Sequence, residues 1–445
     1  MVRKVYLKQE EFLQQNQELN AGLPYAEDTG VLAQPLTAGP VTIPNRLACQ
    51  AMEGCDGTPG GSPDALTIRR YDRFARGGAG LIWFEATAVM PEARANPRQL
   101  YIHEENLDDF KREVERIKET GLRENGYAPV VVMQATHSGR YSKPEGVPAP
   151  LIAYHNPIFE AKAPISDDRI VTDSYLDRVG AALVHGAELA EKAGFDGVDI
   201  KACHRYLNSE LLSAYQRPGR YGGSLENRTR LLRESIAGAR EVCGPSFLVS
   251  SRLNVYDGFA YPNGFGVRAD GSLDFDPTEP IWLLERLSGL GVPLVDITMG
   301  NPYFNPHVNR PFASGGYDID EHPLTGVARM LCGTAVLRRA VPDMKMICSA
   351  LTYLGVAAPH VAAGFVKNGG FDVAGFGRTA FAYPDFAKDI LKTGEMDPKK
   401  ICICCSKCTQ IMRTAGGTPG CVIRDRAVYG PIFDAQCGEI GRAHV

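Results

Sequence analysis

The chain has 445 residues and a formal net charge of −4, from 48 basic and 52 acidic residues. This length accommodates one large α/β domain with an extension, or two domains. The balanced charge excludes an extended basic surface for nucleic acid. Because the first twenty residues lack the apolar core of a signal peptide and no later apolar run reaches membrane length, the sequence predicts a cytoplasmic protein without a membrane anchor.

The first part of the chain, 1–40, predicts a short helix over 9–19 and an irregular, proline-containing lead-in that caps one end of the fold. Apolar runs typical of buried strands then occur at 45–52, 79–89, 129–136, 197–203, 247–254, 293–298, 345–351 and 372–377. Helical patterns alternate with them, at 66–75, 107–120, 174–193, 226–242, 280–290, 326–340, 357–367 and 380–391.

Eight repeats of strand followed by helix predict a (β/α)₈ TIM barrel over 41–395. An open, doubly wound sheet is the alternative, but no G-x-G-x-x-G follows any of the apolar runs, as a nucleotide-binding sheet of that type would require. Three long inserts follow predicted strands, so we expect them to form the walls and lid of a pocket at 138–173, 257–278 and 301–322. The last insert offers aromatic lining in Tyr303, Phe304, His307 and Phe312.

Polar side chains follow the fourth predicted strand where it ends, namely Lys201, His204 and Tyr206. The C-terminal ends of barrel strands are where such folds carry active sites. The alternative interpretation is that Lys201 and His204 face solvent and Tyr206 is a core residue.

The last predicted strand runs through Gly375 and Gly377 into Arg378 and a helix. Glycine lets the backbone approach a ligand, and an arginine with free helical N–H groups suits phosphate. In barrels the matching half of such a site follows strand seven, which indicates Ser349, Ala350, Leu351 and Thr352. A tight turn with a surface arginine is the alternative.

Several motifs occur in one order along the chain: Asn45-Arg46, 134–140 (QATHSGR), 195–200 (FDGVDI), 221–228 (YGGSLENR), Arg252-Leu253 and 375–378 (GFGR). Together, over about 30–395, they resemble the Old Yellow Enzyme family of FMN-dependent oxidoreductases. The resemblance implies a barrel holding FMN at its C-terminal end. The implied FMN-binding residues are Gln134 and Arg252 at the pyrimidine edge, Ala51, Met52 and Glu53 near N5, Ala86 beside the ring, and Gly377 with Arg378 on the phosphate.

Flavin chemistry makes these assignments reasonable, because an arginine near N1 stabilises the anionic reduced ring and a glutamine can bond the pyrimidine edge. For Arg252 the alternative is a buried structural ion pair. The resemblance also implies that Tyr206 donates a proton to the substrate. Lys201 and His204 stand where family members often have a His and Asn pair, and both still donate hydrogen bonds to a carbonyl oxygen. Ala350 replaces a frequent glycine.

A cysteine-rich segment follows the barrel, at 396–445. Omitting Cys404, its spacing is C-x₂-C-x₂-C-x₁₂-C, formed by Cys402, Cys405, Cys408 and Cys421. Because twelve cysteines without a secretion signal indicate reduced thiols or metal ligands, this spacing predicts a [4Fe–4S] cluster, with zinc as the alternative. The last residues, 438–445, carry no interpretable pattern.

The cysteine spacing resembles the iron–sulfur branch of the same family, which includes trimethylamine dehydrogenase and 2,4-dienoyl-CoA reductase. Those relatives continue into nucleotide-binding domains, and here we expect such a domain to be missing or to lie on a separate protein. The electron donor is then NAD(P)H or an electron-transfer protein partner. The expected activity on a small molecule is that of an ene-reductase acting on an α,β-unsaturated carbonyl compound, and amine dehydrogenation is the alternative.

Overall fold

The structure, a computed structural model, describes residues 4–315, 317–413 and 417–437. The uninterpreted tail at 438–445 lies outside the described residues. Within them, eight parallel strands close into a barrel in sequence order, and a two-stranded antiparallel hairpin precedes it. The strands are β1 (Leu36–Ala38), β2 (Val41–Ile43), β3 (Leu47–Cys49), β4 (Leu81–Ala88), β5 (Val130–Thr136), β6 (Gly197–Ile200), β7 (Leu248–Asn254), β8 (Leu294–Thr298), β9 (Lys345–Cys348) and β10 (Val373–Phe376).

The barrel strands β3 to β10 are buried along their whole length, apart from the first residue of β9. A strand with helices on one face and a filled barrel on the other needs apolar residues on both faces, which is why the runs are continuous. The β10 strand pairs with β3, with Phe376 opposite Cys49, and this pairing closes the sheet. The predicted TIM barrel is confirmed, and the open sheet is excluded.

Helices surround the barrel, and none of those described is both long and apolar enough to cross a bilayer. The described helices are α1 (Gln9–Glu18), α2 (Ala65–Arg76), α3 (Leu107–Asn125), α4 (Pro157–Glu160), α5 (Asp173–Lys192), α6 (Leu207–Leu211), α7 (Leu225–Arg228), α8 (Arg230–Val242), α9 (Thr278–Gly289), α10 (Pro306–Asn309), α11 (Pro323–Ala340), α12 (Ala358–Lys367), α13 (Arg378–Ala382), α14 (Phe386–Thr393), α15 (Lys407–Arg413) and α16 (Arg426–Cys437).

Two predicted helices are each broken in the structure. The helix expected over 226–242 breaks at Thr229, whose hydroxyl donates to the Leu225 carbonyl 2.7 Å away and competes with the backbone pattern. The helix expected over 380–391 is divided into α13 and α14 by Pro384. Proline disfavours helical geometry in the residue before it, and Tyr383 accordingly leaves the helix at φ −144° and ψ 70°.

The lead-in expected to be irregular up to residue 40 ends in β1, the first strand of the β1–β2 hairpin, so it is not irregular throughout. Leu36 pairs with Ile43, and side chains alternate between buried and exposed along both strands. The buried ones form one apolar cluster with Leu81, Val130 and Leu294, which begin β4, β5 and β8. The hairpin therefore covers the N-terminal end of the barrel. Strands of three residues are too short to give a clear periodic pattern in sequence.

The segment after the barrel lies at the opposite, C-terminal end. Thr418 donates to the Gly54 carbonyl at 2.8 Å and to Asp56 at 2.9 Å, both in the loop after β3. Asp425 forms ion pairs with Arg69 and Arg73 of α2. These contacts attach the cysteine-rich segment to the barrel and place Cys408 beside the central cavity.

Candidate active site

A cavity opens at the C-terminal ends of the barrel strands. The predicted residues that line it are Ala51, Met52, Glu53, Ala86, Gln134, Lys201, His204, Tyr206, Arg252, Ser349, Ala350, Gly377, Arg378 and Cys408. Thr352, from the same predicted half-site, also lines the cavity, whereas Leu351 is fully buried outside the lining. The lining residues not predicted from the sequence are Gln50, Pro302, Asn309, Arg310, Phe381, Thr409, Met412 and Pro419.

Of the four aromatic residues expected to line the pocket from the loop after β8, Tyr303 does so. Phe304 lies against Phe259 on the exterior, with 46% of its surface exposed. His307 and Phe312 pack against Tyr317. The loop therefore contributes one aromatic wall to the cavity, and its other rings hold the loop together.

Asp199 in β6 organises one side of the cavity floor. Its buried carboxylate accepts hydrogen bonds from Gln134 Nε2 at 2.6 Å, Trp83 Nε1 at 2.7 Å and the Arg252 backbone N–H at 2.6 Å. Burial raises the pKa of Asp199, and these donors counteract the rise. Because one N–H of the Gln134 amide is engaged by Asp199, the amide oxygen and the second N–H are left for a ligand.

Asp296 organises the other side. The Arg252 guanidinium lies 2.9 Å from Asp296 Oδ2, and Gln50 Nε2 donates to Asp296 Oδ1 at 3.0 Å and to Ser349 Oγ at 2.7 Å. Burial raises the pKa of Asp296 to about 7, although Arg252 opposes the rise. The two interpretations of Arg252 are therefore compatible, because it forms a buried ion pair and also lines the cavity. Asp296 was not predicted from the sequence. The signal that could have identified it is a carboxylate within the apolar run of β8.

Tyr206 lies in a hydrogen-bonded group at the cavity wall. Its hydroxyl donates to Glu53 Oε2 at 3.1 Å and shares a hydrogen bond of 2.8 Å with the Tyr303 hydroxyl. Lys201 Nζ lies 3.7 Å from the centre of the Tyr206 ring. Burial, and then the charge of Glu53, hold the pKa of Tyr206 well above 10.0, so the phenol keeps its proton.

His204 is presented to the cavity by a constrained turn. His204 and Arg205 both have positive φ values, of 65° and 58°, which are unfavourable for residues other than glycine. The turn is held by Arg205, which is fully buried and pairs with Asp257 at 2.9 Å. Burial and the nearby Arg252 lower the pKa of His204 far below 6.5, so its ring is neutral. Its buried Nε2 has no hydrogen-bond partner among the described residues and is available to a ligand.

Two arginines lie together at the other end of the cavity. Arg378 is buried and donates to the Pro311 carbonyl at 2.7 Å, while its Nη1 has no partner in the described part of the chain. Burial and the adjacent Arg378 lower the pKa of Arg310 to about 10. None of the described carboxylates pairs with either arginine. Because α13 has only five residues, an anion here would be held by the two guanidinium groups more than by a helix dipole.

A model of the NADH:flavin oxidoreductase / NADH oxidase family matches residues 31–265, which is more than half of the chain. The chain belongs to that family. A curated relative, the NADPH dehydrogenase of Geobacillus thermodenitrificans (strain NG80-2), is 33% identical over 276 residues, covering 61% of this chain and 73% of the relative. FMN and NAD(P)H are the cofactors that this family membership indicates.

Solved structures share the fold at low sequence identity. A 2-naphthoyl-CoA reductase in complex with 2-naphthoyl-CoA is 20% identical with a TM-score of 0.69, over 92% of this chain and 58% of that one. The histamine dehydrogenase from Rhizobium sp. 4-9 is 20% identical with a TM-score of 0.61, over 84% of this chain and 49% of that one. The chain thus spans roughly half the length of these two proteins.

The residues of the cavity fit FMN, the cofactor of the flavin oxidoreductase family. The cavity offers a cation and an amide at one end, in Arg252 and Gln134, and two unneutralised guanidinium groups at the other. Ala350 has a φ of 71°, a conformation that glycine adopts more readily than residues with a side chain. At Gly375 a Cβ would lie 2.4 Å from the Cys348 carbonyl oxygen, so that position needs glycine.

The predicted metal ligands lie in one region without forming a ready-made metal site. Cys402, Cys405, Cys408 and Cys421 are partly exposed. Across the described ranges, no group of three or more His, Cys, Asp or Glu side chains is arranged to hold a metal ion. Backbone N–H groups do donate to two of the sulfurs, from Cys404 to Cys402 at 3.4 Å and from Arg424 to Cys421 at 3.2 Å. The iron–sulfur cluster and the iron–sulfur branch of the family stay predictions.

Proposed function

We propose that this flavin oxidoreductase is an FMN-dependent ene-reductase that reduces the C=C bond of an α,β-unsaturated carbonyl compound. The observation that carries the proposal is a buried, protonated Tyr206 that faces the same cavity as Arg252, Gln134 and the unpartnered Nε2 of His204. The similarity to an NADPH dehydrogenase supports NAD(P)H as the electron donor.

Bound FMN would supply the hydride from N5 to the β carbon of the substrate. His204 and Lys201 would hold the carbonyl oxygen, where hydrogen-bond donors stabilise the negative charge that develops during reduction. Tyr206 would then give its proton to the α carbon. Lys201 has a second effect, because a cation over the Tyr206 ring stabilises the phenolate that remains.

We assign the cofactor-binding role to the lining residues in three groups. Arg252 and Gln134 would bind the pyrimidine edge, and Arg378 with Arg310 would bind the phosphate. Leu351 would support the cofactor site from outside the cavity lining. The remaining predicted residues would contact the cofactor directly: Ala51, Met52, Glu53, Ala86, Ser349, Ala350 and Gly377.

The test of the reaction is Tyr206→Phe. We expect FMN content and flavin reduction by NAD(P)H to be retained, while enone turnover falls about 10²- to 10⁴-fold, as for a lost general acid. Tyr256→Phe is the matched control, since Tyr256 is also buried but donates to the Leu273 carbonyl away from the cavity. Unchanged turnover in Tyr206→Phe would remove Tyr206 from the mechanism.

Anaerobic assays with two substrate panels test the reaction class. Reoxidation of reduced flavin by enones supports the ene-reductase. Reduction of the flavin by amines, without reoxidation by enones, would replace it with an amine dehydrogenase. Stopped-flow absorbance of the flavin measures both reactions directly.

We further propose that Cys402, Cys405, Cys408 and Cys421 bind a [4Fe–4S] cluster, with electrons exchanged through a protein partner. The spacing and the two N–H···S hydrogen bonds support this assignment. Iron and acid-labile sulfide should be present in protein purified anaerobically, lost in Cys405→Ser and kept in the control Cys404→Ser. Stoichiometric zinc in place of iron would overturn the cluster.

A further inference from the structure

A second cavity adjoins the one described above. Its lining includes Tyr141, Lys143 and Arg413. Glu53 and Tyr303 line both cavities, whereas Tyr206 lines the first alone. The hydrogen-bonded group of Glu53, Tyr206 and Tyr303 is therefore part of the wall between two chambers.

The proposed mechanism requires the Tyr206 phenol to regain a proton after each turnover. Tyr206 is only 1% exposed, so bulk water does not reach it freely. Its hydroxyl bonds two groups, Glu53 Oε2 at 3.1 Å and the Tyr303 hydroxyl at 2.8 Å. Burial raises the pKa of Tyr303 well above 10.0, which makes it a poor net source of protons. The carboxyl group is the more acidic of the two partners.

We propose that Glu53 is a proton-relay residue that carries protons from the second cavity to Tyr206. The inference rests on the proposed role of Tyr206. The O–H bond of a protonated Glu53 breaks while the O–H bond of Tyr206 forms. The Glu53 carboxylate then takes a proton from water in the second cavity, so one solvent proton enters per turnover and no electron moves.

The surroundings of Glu53 suit this exchange. Lys201 and Tyr206 face it from the loop after β6, Tyr303 from the loop after β8, and Cys55 from its own loop, with Sγ donating to Oε1 at 3.6 Å. Burial raises the pKa of Glu53, which keeps its proton to a higher pH than on an exposed glutamate, and Lys201 opposes the rise. Burial also raises the pKa of Cys55, so that group stays a thiol.

Glu53→Gln separates the relay from the first proton transfer. The stored proton of Tyr206 serves the first turnover, so single-turnover reoxidation by an enone should slow much less than steady-state turnover. Steady-state turnover should fall at least about 10-fold, and added acetic acid should restore part of it in a concentration-dependent way. In the wild type, steady-state turnover should decline at high pH as Glu53 loses its proton, and Glu53→Gln should not show this decline. Tyr141→Phe is the matched control, because Tyr141 lines the second cavity but not the first, and its hydroxyl bonds Asn301 and leaves the carboxyl group in place.

The outcomes distinguish the relay from the function on which it rests. If the wild-type protein reduces no enone, the proposed function fails and the relay fails with it. If Tyr206→Phe behaves as expected but Glu53→Gln keeps wild-type steady-state turnover, the relay alone is overturned. Should Glu53→Gln fail to retain FMN, Glu53→Asp decides, because a shorter carboxylate should slow steady-state turnover more than the first turnover. Equal slowing of both would overturn the relay.

Discussion

The two ends of the barrel are built from the same strands and differ in what they bury. At the N-terminal end, the β1–β2 hairpin and the first residues of the strands form a cluster of apolar side chains. At the C-terminal end, the strands lead into buried groups without partners among the described residues, such as His204 Nε2 and Arg378 Nη1. Unpaired buried polar groups destabilise a fold, so those that line the cavity indicate where a ligand completes the structure.

Two buried arginines, Arg70 and Arg378, differ in the same way, because only one of them is paired with described carboxylates. Arg70 contacts Asp56 at 2.6 Å and Glu85 at 2.5 Å, so its charge is neutralised within the protein. Arg378 is equally inaccessible, but no described carboxylate pairs with it. Burial alone therefore does not distinguish a structural arginine from a ligand-binding one, whereas the presence or absence of a counter-charge does.

The largest expected effect is at the apolar end. Ile43→Ala removes a fully buried side chain from the hairpin and should lower the free energy of unfolding by about 2–5 kcal/mol. The FMN affinity of the folded protein should not change. Chemical denaturation and FMN titration measure the two quantities, and a comparable loss of FMN affinity would show that the ends are not independent.

A smaller effect is expected for Arg378→Ala, which should weaken FMN binding and leave the stability of the apoprotein intact. The dissociation constant for FMN should rise roughly 10- to 100-fold, which corresponds to about 1.5–3 kcal/mol for a lost charged hydrogen bond. The apoprotein should be no less stable, because an unneutralised buried cation is removed. The control is Arg217→Ala, since Arg217 is buried but bonds Asp173 and the Val171 carbonyl. That variant should lose stability and keep FMN affinity.

Glu113 in α3 extends the comparison to a buried carboxyl group outside both ends. Burial raises its pKa from 4.5 to about 7, although Arg116 opposes the rise. The folded state therefore binds the proton more tightly than the unfolded state, so stability falls as pH rises from 4.5 to about 7. In Glu113→Gln, the drop in the free energy of unfolding over this pH range should be smaller by roughly 1–3 kcal/mol. Urea unfolding below and above this range measures it, and an unchanged slope would contradict the assignment.

The smallest effect is expected where the C-terminal segment is attached to α2. Asp425→Asn weakens the ion pairs with the partly exposed Arg69 and Arg73, and should lower overall stability by about 1 kcal/mol or less. Proteolysis of the cysteine-rich segment should nevertheless become faster, since these pairs and Thr418 attach it to the barrel. Unchanged proteolysis would show that the remaining contacts suffice.

The residues at the strand ends were predictable because each depends on a local pattern. A continuous apolar run predicts a strand buried on both faces, and the polar residue that ends it then lies at the C-terminal edge. Gln134, Tyr206, Arg252 and Arg378 were found in this way or by resemblance. Arg310 carried no such signal, because it lies in a loop whose path depends on the rest of the fold.

The sequence by itself determined the eight repeats, their order and therefore the barrel. Strand and helix patterns depend only on residues close together in the sequence, so they can be recognised without the tertiary structure. The tertiary structure decided which groups meet: Asp199 with Gln134, Arg310 with Arg378, and Tyr206 with Glu53, 153 positions away. These pairings depend on how the sheet closes and how the loops fold over it, and no local pattern encodes either. The hairpin at the other end was missed for a related reason, because its three-residue strands become recognisable only when they pack against the barrel.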